Sequence, residues 1–323
     1  MSVRRKGPED RDVWDELSFL APPGQTSDWR MVLLFDAAAE AGLLSALPGR
    51  TQELAAQLGL DAKAVRVVLE ALAVWGLVQE VDGRFTSGPA LPDDDEAAVL
   101  RHHARSLRLW SAEIDDRLRG VAPSRRDRSQ RRLELWLDAL AVNARHSAPA
   151  AVDACLARLP EARRMLDLGG GHGEYALEFA RRGLQTTMQD RPEVIDLASR
   201  RGRLAAAGIE LFAGDFFEVL PKGPFDIVFC AGVTYTYSAD RNLELFRRVR
   251  PLLGASGMLA LHTFLRGRAP VSALFAVQML GATGGGDTHA EDDYRQWLSE
   301  AGYSNVEVVD LSRQPESLLF ATT

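Results

Sequence analysis

"MLDLGGGHGEYALEFA", residues 165–180, carries an apolar run straight into four glycines and one histidine, then into a helical pattern. A strand, a glycine-rich turn and a helix in that order open many nucleotide-binding α/β units. Glycine is needed in the turn so that the backbone can reverse sharply and lie close against a ligand. The dinucleotide fingerprint is present in part, as Gly171-x-Gly173-x-x-Ala176. Alone, such a match discriminates little.

The neighbouring segments narrow the ligand. Asp167 lies in the strand, two residues before Gly169. Asp190 follows the next strand-like run, "QTTMQ", at a distance that suits hydrogen bonds from ribose hydroxyls. That arrangement fits either a nicotinamide dinucleotide or S-adenosylmethionine. Further on, in "AGDFFEVLPKGPFDIVF" (213–229), Asp215 can take an adenine amino group while Phe216 lies against the ring. A dinucleotide enzyme needs a second half-fold for its other nucleotide, and here the residues run out after one.

Outward from the turn, strand and helix alternate. "RMLDL", "QTTMQ", "IELFA", "FDIVFCA" and "GMLALHTF" read as strands, with helices over 173–183, 193–206 and 240–253 and near 270–280 and 291–301. "NVEVVD" and "SLLFAT" close the chain as strands without a long helix between them. The pattern predicts an α/β fold: a Rossmann-like doubly wound sheet with an antiparallel C-terminal edge, over 159–323.

Upstream, residues 1–28 read as a polar arm with one apolar patch, "VWDELSFLAPPG". Residues 29–90 then give three helices and a hairpin, the pattern of a mainly α winged-helix domain. The helices are "WRMVLLFDAAAEAGLLSAL", stopped by Pro48–Gly49; "QELAAQLGL", capped by Thr51; and "AKAVRVVLEALAVWG", capped by Asp61 with Gly76 beyond its end. "LVQEVDGRFTS" turns at Asp82–Gly83. The third helix offers few polar groups besides Lys63 and Arg66, which favours a packing or dimerisation module over a reader of DNA. Residues 91–158 read as a helical linker, with Trp110 and Trp136 on apolar faces.

Composition bounds the function. Hydrophobic residues make up 46% and charged residues 26%, ordinary for a soluble globular chain. The formal net charge of -7 weighs against general nucleic-acid affinity. Residues 101–132 run the other way, with ten Arg against Glu113, Asp115, Asp116 and Asp127; they read as a solvated helix–loop–helix, with an acidic partner as the alternative. Cys155 and Cys230 alone make neither a disulfide framework nor a zinc site, which fits a reducing compartment. No apolar run reaches membrane length, and the start lacks a signal-peptide core, so a cytoplasmic location without membrane contact is expected.

Together, "LDLGGGHG", "DRPEV", "GDFFEVLP" and "FDIVF" resemble the motifs of class I S-adenosylmethionine-dependent methyltransferases. The branch resembled has an N-terminal winged-helix dimerisation domain and includes caffeate, hydroxyindole and anthracycline-type O-methyltransferases. "GGGDTHAEDDYRQWLSEAGYSNVEVVD" (284–310) is similar to its C-terminal signature, and the likeness runs from about residue 28. The resemblance implies that Gly169, Gly171 and Gly173 line the methionine and ribose of S-adenosyl-L-methionine. It implies that Asp190 holds the ribose, that Asp215 and Phe216 hold the adenine, and that Cys230 and Ala231 border the sulfonium. It also implies a homodimer acting on a small aromatic or polyketide-type acceptor in secondary or antibiotic metabolism, with no nucleic-acid partner.

One stretch departs from the family. After the fourth strand, members carry a His-Asp-Trp stretch whose His takes the substrate proton; here those positions fall on Tyr235, Thr236 and Tyr237. The acid that supports the base falls on Thr263. Methyl transfer is an in-line displacement for which the protein supplies mainly positioning. A base is needed when the nucleophile is a weak neutral acid. A tyrosine of ordinary pKa ~10 serves poorly as that base.

Three readings follow. The acceptor is already acidic and Tyr235 positions it. Or another group serves: His289 in a late loop, His262 at the end of the fifth strand, or His146 on the linker helix. Or the reaction has moved to carbon or nitrogen methylation, or to non-methylating chemistry on the same scaffold. Tyr235 and His289 are the catalytic candidates. Tyr237 and Met279 are expected in the acceptor wall, with Phe275, Gln278 and Trp297 less directly placed. Asn143, Arg145 and His146 on the linker helix are expected to reach the methionine carboxylate or the acceptor. His262 and His289 lack a carboxylate at helical spacing, so no metal is expected. The rival from another class is a winged-helix regulator that senses the nucleotide and binds DNA through Lys63 and Arg66.

Overall fold

The computed structural model describes residues 28–123, 130–311 and 314–323. The apolar patch of the N-terminal arm and Arg125, Arg126, Asp127 and Arg128 lie outside the described residues. The described chain falls into two compact units that divide between Arg108 and Leu109.

In the first unit, helices α1 (Trp29–Glu40), α2 (Thr51–Leu58) and α3 (Ala62–Val74) precede a hairpin of β1 (Val78–Val81) and β2 (Arg84–Ser87). A single antiparallel bridge, Gly49 to Phe85, ties the α1–α2 connection to the hairpin. This is the winged-helix order. The core is built from Met31, Phe35, Leu54, Leu69, Leu72 and Phe85. Asp61 caps α3 by accepting from Ala64 N at 2.8 Å. Asp82 and Gly83 both take positive φ, the twist that a two-residue hairpin turn needs. Two local expectations are corrected. Thr51 is the first helical residue and not the cap, because Glu53 reaches back to the Arg50 N–H at 3.0 Å. The first helix stops at Glu40, since Gly42 takes the left-handed conformation that ends it, well before Pro48.

Helix α4 (Asp94–Leu118) carries part of the Arg-rich segment, and α5 (Gln130–Arg158) follows. Some of the described arginines are less solvated than expected, while Arg108, Arg119, Arg131 and Arg132 are exposed. Arg101, 15% exposed, pairs with Asp36 and Glu40, and Arg108 also reaches Asp36. Arg117 donates to the carbonyls of Leu280 and Val121 at 2.8 and 2.7 Å. In the third helix Arg66 is tied to Glu70 at 2.8 Å.

The second unit is a seven-stranded sheet. Its strands are β3 (Arg164–Leu168), β4 (Gln185–Asp190), β5 (Glu210–Ala213), β6 (Phe225–Ala231), β7 (Leu253–Thr263), β8 (Ser304–Asp310) and β9 (Ser317–Thr322). They lie in the order β5-β4-β3-β6-β7-β9-β8. β3 to β7 are mutually parallel, and β9 runs antiparallel between β7 and β8. The two closing strands thus form the expected antiparallel edge. Helices α6 (Glu174–Arg181), α7 (Pro192–Arg200), α8 (Arg203–Ala206), α9 (Ala239–Val249), α10 (Pro270–Ala282) and α11 (Glu291–Glu300) complete the unit. The helix expected over 193–206 breaks at Gly202, which has φ 67°.

Alternate β-strand side chains fill two cores, one on each face of the sheet. Leu168, Val228, Cys230, Leu259 and Leu261 join Tyr294 and Trp297 of α11. Met165, Ile227, Phe229 and Ala260 join Val152 of α5 and Phe179 of α6. The strand order reverses between β3 and β6, and such a switch opens a crevice at the carboxyl ends of the strands. Among the described residues, no helix is long and apolar enough to cross a membrane.

Candidate cofactor and acceptor site

The glycine turn sits at that switch. Gly169, Gly171 and Gly173 take φ of 74°, 54° and 78°, a region closed to most side chains. Gly169 N and Gly170 N both donate to the Gln189 carbonyl, at 2.8 and 3.1 Å, which moors the turn to the end of β4. Gly173 begins α6, and His172 Nδ1 accepts from Glu174 N at 3.1 Å. Burial holds the His172 pKa down, to about 4, so the ring is a neutral acceptor that shapes the turn.

Asp190, half-buried, accepts from Gly171 N at 2.9 Å and from its neighbour Arg191 N at 2.7 Å, one per oxygen. Each oxygen keeps a lone pair for a further donor, as two ribose hydroxyls would supply. Burial raises its pKa, against those two N–H donors. Asp167 is a stronger signal that the sequence reading left without a role. It is 1% exposed, and its Oδ2 has no hydrogen-bond partner. A Cβ built on Gly170 would lie 2.8 Å from that oxygen. Burial, then the nearby Asp190, push its pKa up to about 7. A buried, unmatched carboxylate oxygen against a bare glycine is a seat for a cationic group, such as an amino-acid ammonium.

At the adenine end, Asp215 Oδ1 accepts from Phe217 N at 2.8 Å, which sets the tight turn after β5. Phe216, 7% exposed, lies beside Gly169, its Cε1 3.7 Å from a Cβ built there. Its ring meets that of Tyr237, centroids 6.0 Å apart. Phe216 and Asp190 therefore flank the glycine turn, with Asp215 next to Phe216 in the chain. Ala231 ends β6 beside His262 of β7. Cys230 is buried in the core below it, and burial pushes its thiol up.

The departure from the family falls on a short 3-10 turn, Thr234–Thr236, after β6. Tyr235 packs against Phe275 and Phe264 at centroid distances of 4.7 and 6.1 Å, and those two rings stack at 4.3 Å. A Cβ built on Gly232 would come within 2.9 Å of the Tyr235 hydroxyl, so that hydroxyl points back over the end of β6. Burial raises its pKa above the ordinary tyrosine value, so it does not ionise near neutral pH. Tyr235 can donate a hydrogen bond or orient a ring.

His289 is tied to the same turn. Its Nε2 lies 3.0 Å from the Tyr237 carbonyl and so carries the proton, and the ring packs on Trp297 at 4.9 Å. Asn242 of α9 donates to the Thr234 carbonyl at 2.9 Å and the Tyr237 carbonyl at 3.3 Å. His289 and Asn242 together clamp the 234–237 turn, which is a holding role. His146 is exposed and hydrogen-bonded to the Val142 carbonyl of its own helix at 2.8 Å, while Asn143 is half-buried. Met279 is buried in α10, and Gln278 accepts from Trp110 Nε1 at 2.6 Å.

Next to His146 stands the inward residue that the sequence reading missed. Ser147 Oγ is 2.7 Å from the Tyr175 hydroxyl, which is 3.0 Å from His262 Nδ1. The chain Ser147–Tyr175–His262 joins α5, α6 and β7 at the carboxyl edge. Burial lowers the His262 pKa to about 4, and its Nε2 is buried without a partner. Glu316 also stands at this edge, immediately before β9. Burial raises its pKa to about 7, and its charge in turn raises the Tyr175 and Tyr235 hydroxyls. One chemical signal for Tyr175 was in the sequence: a hydroxyl-bearing residue on a helix face that is otherwise apolar.

Comparison with known proteins bears on this geometry. Residues 125–304 match the O-methyltransferase domain family. The chain is 29% identical, over 88% of its length and 89% of the relative's, to 3-hydroxy-5-methyl-1-naphthoate 3-O-methyltransferase of Streptomyces sahachiroi. It is 30% identical to mitomycin biosynthesis 6-O-methyltransferase of Streptomyces lavendulae, over 42% of this chain and 40% of that one. Among solved structures, human N-acetylserotonin methyltransferase in complex with SAM superposes with a TM-score of 0.73 at 20% identity, over 93% of this chain and 99% of that one.

Proposed function

The chain belongs to the O-methyltransferase domain family, and from that premise we propose that it methylates a hydroxyl of a small aromatic or polyketide-type acceptor. The naphthoate and mitomycin activities of its relatives support an acceptor of secondary metabolism. S-adenosylmethionine, when bound, supplies the methyl group already activated by the sulfonium charge.

This chain's residues then bind and orient. Asp167 receives the ammonium that its orphaned oxygen lacks, Asp190 the ribose hydroxyls, and Asp215 with Phe216 the adenine. The single observation that carries the reading is the pair of carboxylates flanking the glycine turn: Asp190 hydrogen-bonded to Gly171, and Asp167 buried with an unmatched oxygen. The rings of Tyr235, Phe264 and Phe275 form an apolar wall suited to a flat acceptor. Tyr237 and Met279 extend it, and Asn143 approaches from α5. His289 holds the turn that carries Tyr235 and Tyr237.

The chain acts as a homodimer through its first unit, which leaves Trp29 and Val74 exposed at 61% and 81%. A monomer in sedimentation equilibrium would overturn that part.

The test is calorimetric titration of the protein with S-adenosylmethionine and S-adenosylhomocysteine, with Asp190→Ala beside it. Micromolar binding is expected, weakened about 100-fold or more in the variant, which loses charge-assisted hydrogen bonds and the mooring of Gly171. Equal binding by both proteins refutes the site. Binding without S-adenosylhomocysteine release from any phenol or acid would move the reaction to non-methylating chemistry.

A further inference from the structure

The family's proton-handling His and its supporting acid are both missing from their places, yet a phenol or alcohol acceptor must lose a proton as it is methylated. The geometry points to Glu316, at the start of β9, as the group that takes it. This inference rests on the methyltransferase reading above.

The placement follows from strand register. Ser317 pairs with Thr263, the position where the family keeps its acid, and Leu318 pairs with His262. Directly opposed residues of an antiparallel pair share a face, and residues two apart share it again. Glu316 therefore falls on the face of His262 and Phe264, one step beyond the end of β7. On that face His262 meets the Tyr175 hydroxyl at 3.0 Å, and Phe264 meets the Tyr235 ring at 6.1 Å. Thr263 and Ser317 point to the other face, so Glu316 does not stand in the place of the missing acid; it comes instead from the adjacent strand, one register step on and across from Phe264 of the aromatic wall.

The groups around Glu316 suit a base. Its charge acts on Tyr175 of α6 and Tyr235 of the turn after β6, that of Asp167 of β3 also acts on Tyr175, and the Tyr175 hydroxyl meets His262 of β7 at 3.0 Å. Both tyrosines are held neutral, and His262 is neutral above about pH 4, so no cation there locks the carboxyl in its charged form. Burial places its proton affinity near neutrality, where a general base works best. His262, with a far lower proton affinity and an enclosed Nε2, is a positioning residue that fixes the Tyr175 hydroxyl.

The step balances without a further reactant. The acceptor oxygen forms a bond to the methyl carbon as the carbon–sulfur bond breaks, its electron pair staying on sulfur. The hydroxyl proton passes to the Glu316 carboxylate, which later releases it to water.

The experiment compares wild type, Glu316→Gln and Glu316→Asp in three readouts. Calorimetry with S-adenosylhomocysteine reports folding and the cofactor site, and is expected to be unchanged in all three. Infrared titration of carboxyl groups reports Glu316 itself: wild type shows a carboxyl protonating near pH 7 that Glu316→Gln lacks. The Asp167 band, near the same pH, persists in both. Methyl transfer to 3-hydroxy-5-methyl-1-naphthoate and a panel of phenols is expected to rise to a plateau above about pH 7 in wild type. It is expected to fall about 100-fold in kcat in Glu316→Gln, with little change in KM and with the acidic limb gone. Glu316→Asp recovers part of the rate. A Glu316→Gln enzyme with wild-type kcat and an unchanged pH profile, or no missing infrared band, overturns the assignment alone. A wild-type protein that binds no cofactor and methylates nothing overturns the parent reading and the assignment with it.

Discussion

Adding one methyl group to the glycine turn should report on both halves of the site at once. In Gly169→Ala the new Cβ would lie 2.6 Å from Val233 Cγ2, in a residue with φ 74°. The left-handed backbone costs an alanine about 1–2 kcal/mol. The stiffer unfolded chain returns about 0.4–1 kcal/mol. The contact adds an overpacking cost of about 1–3 kcal/mol, because Val233 is 9% exposed and packed in the core. The net expectation is a loss of about 2–4 kcal/mol. Gly183 provides the control. Its φ is 90° and a Cβ there meets nothing within 4 Å, so Gly183→Ala carries the backbone cost alone, about 1 kcal/mol net.

Val233 immediately precedes the Thr234–Thr236 turn, so displacing it moves Tyr235 as well as the cofactor side. Urea unfolding measures the two stability losses. Calorimetry with S-adenosylhomocysteine measures the site, where Gly169→Ala should lose tenfold or more and Gly183→Ala nothing. Two variants within about 0.5 kcal/mol of each other, with equal affinities, would refute the close approach of the two turns and the coupling drawn from it.

Two further outcomes follow from the titrating groups. The Asp167 pKa, about 7 in the fold, stands above its ordinary 3.8, so its buried charge destabilises the protein increasingly from about pH 4 to pH 7 and fully above that. Asp167→Asn should therefore be more stable than wild type at pH 8, nearly equal to it at pH 4, and weaker in S-adenosylmethionine binding; a variant less stable at both pH values contradicts the buried-charge argument. Tyr235→Phe should lose less than tenfold in kcat and keep the wild-type pH profile, since the hydroxyl stays protonated; a larger loss with an altered profile returns proton transfer to Tyr235.

Much of the fold was legible because its periodicities are strong. "RMLDL", "FDIVFCA" and "GMLALHTF" are short apolar runs between helical segments, and each became a strand of the parallel sheet. Asp190, Asp215 and Phe216 were legible because they stand at fixed steps from the glycines. Other features depend on tertiary contacts that no spacing encodes. Thr51 looked like a cap, but Glu53 satisfied the end of α2 from inside the helix. The Arg-rich run looked solvated, but Asp36, on a distant helix, draws in Arg101. His289 looked like a base because it lies in a loop near the acceptor side. Only the fold shows its Nε2 donating to the Tyr237 carbonyl. Glu316 was invisible for the converse reason: its meaning lies in the register of β9 on β7, which sets the next residue, Ser317, opposite Thr263, 54 residues earlier in sequence (263 to 317).

The location of the unsatisfied groups argues independently for where the chemistry happens. Among the described residues seven buried polar side-chain atoms have no partner, and three of them, on Asp167, Gln189 and His262, sit at the carboxyl ends of β3, β4 and β7. Each costs about 1–3 kcal/mol to leave unmatched. A core optimised for stability alone would replace them with apolar side chains of similar size, as the same strands do one residue away with Leu166, Met188 and Leu261. Their clustering at one edge means that this edge is under a demand that packing does not meet. A bound ligand meets it at Asp167, where a cation would neutralise the carboxylate. A fixed hydroxyl meets half of it at His262, through Tyr175. The same accounting predicts where saturating ligand should stabilise the fold most: amides of β3 and β4 should gain more protection from hydrogen exchange than those of β8, at the far edge of the sheet.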